Sequence, residues 1–189
     1  MPVRLVYALG LVATLAACGD DPVQFSAPVG INLKAKSSDT TNGVVSEEKA
    51  ITTESGNPYG AFISDARAKL GGKDPSSIQI DKVELFLGAG STNVTRLGEV
   101  FDGTVDVVFQ INDTNNSYPA ASGSVPSATA AGPIEIGPSF DSGTLPDADY
   151  QKLLGGSFKI TARGPAAAGF TTKGADADIQ VTFTFAAFQ

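Results

Sequence analysis

Ile179-Gln180-Val181-Thr182-Phe183-Thr184-Phe185 alternates apolar and polar residues without interruption. In an extended chain successive side chains point to opposite faces, so this run buries Ile179, Val181, Phe183 and Phe185 and leaves Gln180, Thr182 and Thr184 to water. Its β-branched and aromatic residues suit a pleated, half-buried surface. A slip of one residue would turn the whole apolar set outward, so the register of such a strand is strongly specified. A sheet with one dry face must cover that face with a second layer.

The same period recurs along the chain. Phe158, Ile160 and Ala162 alternate with Lys159, Thr161 and Arg163, and Val105, Val107, Phe109 and Ile111 share one face. Val29, Ile31, Leu33 and Ala35 alternate with Gly30, Asn32, Lys34 and Lys36. Ile78 and Ile80 fall one step out of phase with Val83, Leu85 and Leu87, which predicts a bulge near Asp81-Lys82. Weaker strands are predicted at Val44–Val45 or Ala50–Thr53, at Val100-Phe101 with Asp102-Gly103 as a hairpin turn, and at Ile134 and Ile136.

Two segments read differently. Tyr59, Phe62, Ile63, Ala66 and Leu70 lie on one face of a helix, with Asn57 as its cap, Pro58 in its first turn and Gly71-Gly72 after its end. A second short helix is predicted over 146–154, before Gly155-Gly156. No β-helix-β rhythm repeats, which disfavours a parallel α/β sheet. The expected fold is all-β: an antiparallel β-sandwich, immunoglobulin-like or jelly-roll-like, with one or two short helices.

The stretch 112–132 is nearly all Ser, Ala, Asn, Gly, Pro and Thr. It reads as a long surface insert, and such inserts often carry contacts. Asn112, Asn115, Asn116 and Tyr118 are its candidate partner contacts, offering adaptable hydrogen bonds and one amphipathic ring.

The 189 residues include no histidine, no tryptophan and one cysteine, Cys18. Ser-His-Asp triads, Cys-His pairs and imidazole metal ligands are therefore excluded. No disulfide can form within the chain, so the core alone must hold the fold. There is no glycine-rich nucleotide motif, and no cofactor is expected. The net charge is −7, which disfavours nucleic acid as a partner.

Three constellations remain. Asp147-Ala-Asp149 recurs as Asp176-Ala-Asp178, and these paired carboxylates are weak calcium candidates. Their surroundings lack the glycine and closing glutamate of a calcium loop, so the expectation is that no metal is bound there. Glu84, Glu99 and Glu135 lie on or beside strands and are the only residues that fit a carboxylate-dependent hydrolase, although sugar clefts usually need aromatic platforms. Phe101, Phe109, Phe158, Phe183 and Phe185 either form plain core or line a cavity for an apolar ligand.

Arg4 precedes an apolar run from Leu5 to Ala17, which is too short to span a bilayer and ends in Leu15-Ala16-Ala17-Cys18. A cysteine directly after small residues resembles the lipobox of bacterial lipoproteins. The resemblance covers residues 1–18. It implies cleavage before Cys18, lipidation of its thiol and amine, and a bacterial cell envelope as the setting, with the membrane as a partner through the lipid on Cys18. More than one acyl chain makes such an anchor stable. Gly19 stands where an aspartate retains enteric lipoproteins in the inner membrane, so the resemblance points to the outer membrane. The expected organisation is a leader over 1–17, a lipidated tether over 18–28 and a β-sandwich domain over 29–189. The expected role is non-enzymatic, in adhesion, assembly or accessory binding to an envelope protein or glycan. The alternative is a binding protein or carrier for an apolar or glycan ligand at the membrane surface.

Overall fold

The computed structural model describes residues 24–114 and 116–189; Cys18, the leader, the first part of the tether and Asn115 lie outside the described residues. The domain is all-β and antiparallel. Its strands are β1 (Gln24–Lys36), β2 (Val44–Ile51), β3 (Ser77–Leu87), β4 (Gly103–Ile111), β5 (Ser117–Val125), β6 (Ile134–Pro138), β7 (Phe158–Pro165) and β8 (Asp176–Phe188). Two helices, α1 (Pro58–Lys69) and α2 (Asp147–Leu154), interrupt them.

The strands pair in the order β1-β8-β3-β6-β5-β4-β7-β2. Two halves, β1-β8-β3-β6 and β5-β4-β7-β2, are joined where β5 meets β6 at Ala121↔Pro138 and Ser122↔Gly137. The halves fold face to face. Phe109 of β4 packs across the interior on Phe183 and Phe185 of β8, with ring centroids 5.6 and 6.2 Å apart. This is the inner contact of a sandwich.

β8 is the spine. It pairs with β1 along its whole length, from Gln24↔Phe188 to Lys36↔Asp176, and with β3 on its other side. Ile179, Val181, Phe183 and Phe185 are all at most 1% exposed, as their alternation predicts. The bulge in β3 falls between Ile80 and Lys82. By passing over Asp81 it turns Ile78, Ile80, Val83 and Leu85 all into the core.

α1 closes one end of the sandwich. The Asn57 side chain accepts from the Tyr59 N–H at 2.9 Å, and Pro58 fills the first turn. Tyr59 stands edge-on to Phe158 and Phe185 at 5.1 and 5.5 Å, and Phe62 stacks on Phe25 of β1 at 5.8 Å. The Tyr59 hydroxyl donates to the Leu153 carbonyl at 3.1 Å, which ties α1 to the end of α2.

Four expectations change. β1 begins at Gln24, so residues 24–28 belong to the sheet rather than to the tether. Phe25 and Ala27 are only half-buried there and Pro28 sits on an edge strand, where its missing N–H costs no ladder bond. Val44–Ile51 is one strand; the other edge of the sheet exposes Ser46 and Glu48 to Ala50, which hides the period. Phe101 makes a single bridge to Ala166, and β4 starts at Gly103, so Asp102-Gly103 is not a hairpin turn.

The fourth change is the largest. The stretch 112–132 is not an insert, because it contains β5, which pairs with β4 and β6. Ala120, Ala121 and Val125 are buried, and a bulge opposite Val107-Val108 lets both alanines face inward. The rest is held too: the carbonyls of Thr129, Ala130 and Ala131 accept from the N–H groups of Gly98, Leu97 and Leu87. Small side chains here reflect a crowded strand, not a solvated loop.

Candidate functional site

Asn112, Asn116 and Tyr118 converge on α2. Asp149 lies in the first turn of α2 and is 1% exposed. Its Oδ2 accepts from the Tyr118 hydroxyl at 2.6 Å and from the Asn116 side-chain amide at 2.8 Å. The Tyr118 hydroxyl, followed by Asn116, holds the Asp149 carboxyl below its ordinary range. The same bond raises the Tyr118 hydroxyl pKa. One turn later, Lys152 donates to the Asn112 carbonyl at 3.0 Å and pairs with Asp113. Asn112, Asn116 and Tyr118 thus act as a latch that fixes α2 beside the end of β4. The sequence offered no sign of this network, whose partners lie more than 30 positions apart in the chain.

Asp147 also lies in the first turn of α2, where a negative charge meets the positive end of the helix dipole. Asp176 and Asp178 open β8 at the opposite end of the fold, opposite Lys36 and Lys34. The structure does not bring the two aspartate pairs together. Among the described residues no group of three or more His, Cys, Asp or Glu is placed to hold a metal ion.

The Asp176–Asp178 end forms a surface pocket of about 330 Å³, lined by Lys34, Lys36, Gly90, Asp176, Ala177 and Asp178. Cross-strand neighbours share a face, so both lysines and both carboxylates point to the same side. The turn after β3 crosses close above: the Gly88 N–H donates to the Asp178 carbonyl at 2.7 Å, and a Cβ on Gly88 would stand 2.6 Å from Asp178 Oδ2. Asp178 Oδ1 is buried with no hydrogen-bond partner among the described residues.

The three candidate glutamates do not form one cleft. Glu84 and Glu135 face each other across β3 and β6 on the outer surface, with the Lys82 ammonium 2.8 Å from the first and 4.0 Å from the second. Glu99 shares none of these partners. It accepts from the Thr95 N–H at 2.7 Å, the Arg96 N–H at 3.2 Å and the Lys173 ammonium at 3.0 Å. The Thr95 N–H is the main reason, ahead of Lys173, that its carboxyl falls to about 2.

The aromatic set packs on itself. Phe109 touches Phe140, Phe158 and Phe183 with centroids 4.8, 5.3 and 5.6 Å apart, and Phe183 stacks on Phe185 at 5.5 Å. Phe101 is fully buried.

No known protein family matches the chain, and no curated protein does. Among solved structures it is similar to a chain of turnip yellow mosaic virus, at 13% identity over 100% of this chain and 90% of that one, with a TM-score of 0.26. It is also similar to a chain of the extra small virus particle of the giant freshwater prawn Macrobrachium rosenbergii, at 12% identity over 99% and 90% of the two chains, with a TM-score of 0.18. Likenesses this distant carry no argument about what the chain does.

Proposed function

We propose that this chain is a lipid-anchored protein of the bacterial cell envelope that works by binding, in adhesion, assembly or as an accessory module. The observation that carries the reading is the single cysteine, Cys18, directly after Leu15-Ala16-Ala17 at the end of a short apolar run. Gly19 after it favours the outer membrane. The self-packed aromatic interior supports a scaffold over a carrier of an apolar ligand, which would need an internal cavity of several hundred Å³. Changing Cys18 to Ser tests the anchor. Envelope fractionation should find any processed product in the soluble fraction, and mass spectrometry should lose the lipidated N-terminal peptide. A Cys18→Ser protein that has lost its leader and is still firmly in the membrane would overturn the reading.

A second reading, binding of a glycan, is favoured by one observation: the pocket lined by Lys34, Lys36, Asp176 and Asp178 sets ammonium donors next to carboxylate acceptors. Vicinal hydroxyls would match both. Binding of envelope polysaccharide that survives Asp176→Asn/Asp178→Asn would dismiss this pocket as its site.

A further inference from the structure

We propose that the free edge of β2 pairs, antiparallel and about a two-fold axis at Glu48, with the same edge of a second copy of this chain, and that Glu47 and Lys49 select that register.

Two observations carry it. The first is an open edge. β2 pairs only with β7, and β1, the other end of the sheet, only with β8. Along a strand the N–H and C=O of one residue point to the same side, and successive residues alternate. The Ser157 and Pro165 carbonyls accept from the N–H groups of Asn112 and Asp102, on the β4 side. Odd-numbered β7 residues therefore turn their backbone groups to β4, and Ala162 and Ile160 turn theirs to Glu47 and Lys49 of β2. The N–H and C=O groups of Ser46, Glu48 and Ala50, all exposed residues, are left on the open side. Such an edge is a template for another strand. β1 is a poorer one, because Pro28 offers no N–H; β2 has no proline.

The second is a pair of charges in the phase of the core. Odd-numbered β2 side chains turn inward, as buried Val45 and Ile51 do. Glu47 and Lys49 share that phase, opposite buried Ala162 and Ile160, yet Glu47 is half-buried and Lys49 exposed. Neither makes an ion pair among the described residues, whereas Glu48 on the outer face is held by Lys159 at 2.8 Å. Burial, then Asp39 and Glu48, lift the Glu47 carboxyl above its ordinary range against the pull of Lys36, so a nearer cation would be favoured there. A two-fold axis at Glu48 supplies it. Ser46 then meets the partner's Ala50 through the backbone, Glu47 stands opposite the partner's Lys49, and Val45 stands opposite the partner's Ile51. Opposite charges and apolar pairs directly across a ladder stabilise it. The two Glu48 side chains meet as two ion pairs, each with its own Lys159. An axis one residue earlier would set Glu47 against the partner's Glu47, and one residue later Lys49 against the partner's Lys49.

The test uses the full chain expressed in a bacterium and taken up in detergent, with light scattering that subtracts the detergent from the protein mass. The mass should rise with concentration from one chain to two and stop there. Glu47→Lys and Lys49→Glu should each move the dimerisation midpoint to higher concentration by at least about tenfold. The double variant Glu47→Lys/Lys49→Glu restores opposite charges across the axis and should return the midpoint close to its original value. An equal mixture of the two single variants should dimerise too, which misfolded chains would not do. Amide exchange in the β2 peptide should slow as the dimer forms. A dimer that both single variants keep at full strength overturns the proposal, because its contact then lies elsewhere. A chain that stays single at every concentration also overturns it, and association on Lys49→Val would then make the inward charges a guard against pairing instead.

Discussion

Gly123 of β5 lies so close to Ile136 of β6 that a Cβ on the glycine would stand 2.5 Å from the isoleucine Cγ2 and 3.0 Å from its Cα. The two half-sheets meet through β5 and β6 at only two residue pairs, beside this contact. Gly123→Ala should therefore force the strands apart. A loss of about 1–3 kcal/mol is expected for overpacking of this kind, read from urea unfolding. An unchanged urea midpoint would mean that the joint is slack.

Replacing residues 114–130 with a Gly/Ser linker removes β5 and its pairing to β4 and β6. The shortened chain should lose its cooperative thermal transition and its near-ultraviolet circular dichroism. A variant that melts like the unchanged domain would restore the reading of this stretch as a passenger loop.

Phe183→Ala and Phe185→Ala each empty a fully buried ring site in the central strand. Each should cost about 3–5 kcal/mol in chemical denaturation. Far smaller losses at both positions would show that the interior collapses around the gap.

Tyr118→Phe and Asp149→Ala each remove the 2.6 Å bond that holds α2. Both should lower the melting temperature, and the double variant should lose less than the sum, since the two share one interaction. Strict additivity would separate them. Amide exchange in α2 should rise in either single variant, because its first turn is released.

Glu99 has a folded carboxyl pKa of about 2 against an ordinary value of 4.5. A depressed pKa means that the unfolded chain takes up the proton first. The contribution of Glu99 is therefore present above about pH 4.5 and fades as the pH falls toward 2. Asp149 acts in the same direction. The unchanged protein should lose stability across this window, and Glu99→Gln should make the loss shallower. A parallel pH profile in the variant would show that the Thr95 and Lys173 bonds to Glu99 do not survive in solution.

Where the alternation was strong, the sequence could be read directly. β8, β4, β7, the bulge in β3 and α1 with its Asn57 cap all rest on local period and on side chains bonding to near neighbours. β5 escaped because its signal is negative: Gly, Ala and Ser are chosen for closeness to Ile136 and to the β4 backbone, and closeness leaves no hydrophobic period. The edge strand β2 was marked only at its two ends. Only Val45 and Ile51 are buried, so too few apolar positions remain to mark its full length.

The sequence by itself determined the strand-rich class, the dry and wet faces of β8, the absence of imidazole and disulfide chemistry, and the lipobox resemblance at Cys18. These follow from residue type and short-range spacing, which the chain carries at any stage of folding. Only the tertiary structure decided that Tyr118 and Asn116 turn to Asp149, that the two aspartate pairs stand at opposite ends, and that Ser76 and Gln24 both meet Phe188. Those are pairings between distant parts of the chain, fixed by how β8 zips to β1 and β3, and no local pattern encodes them.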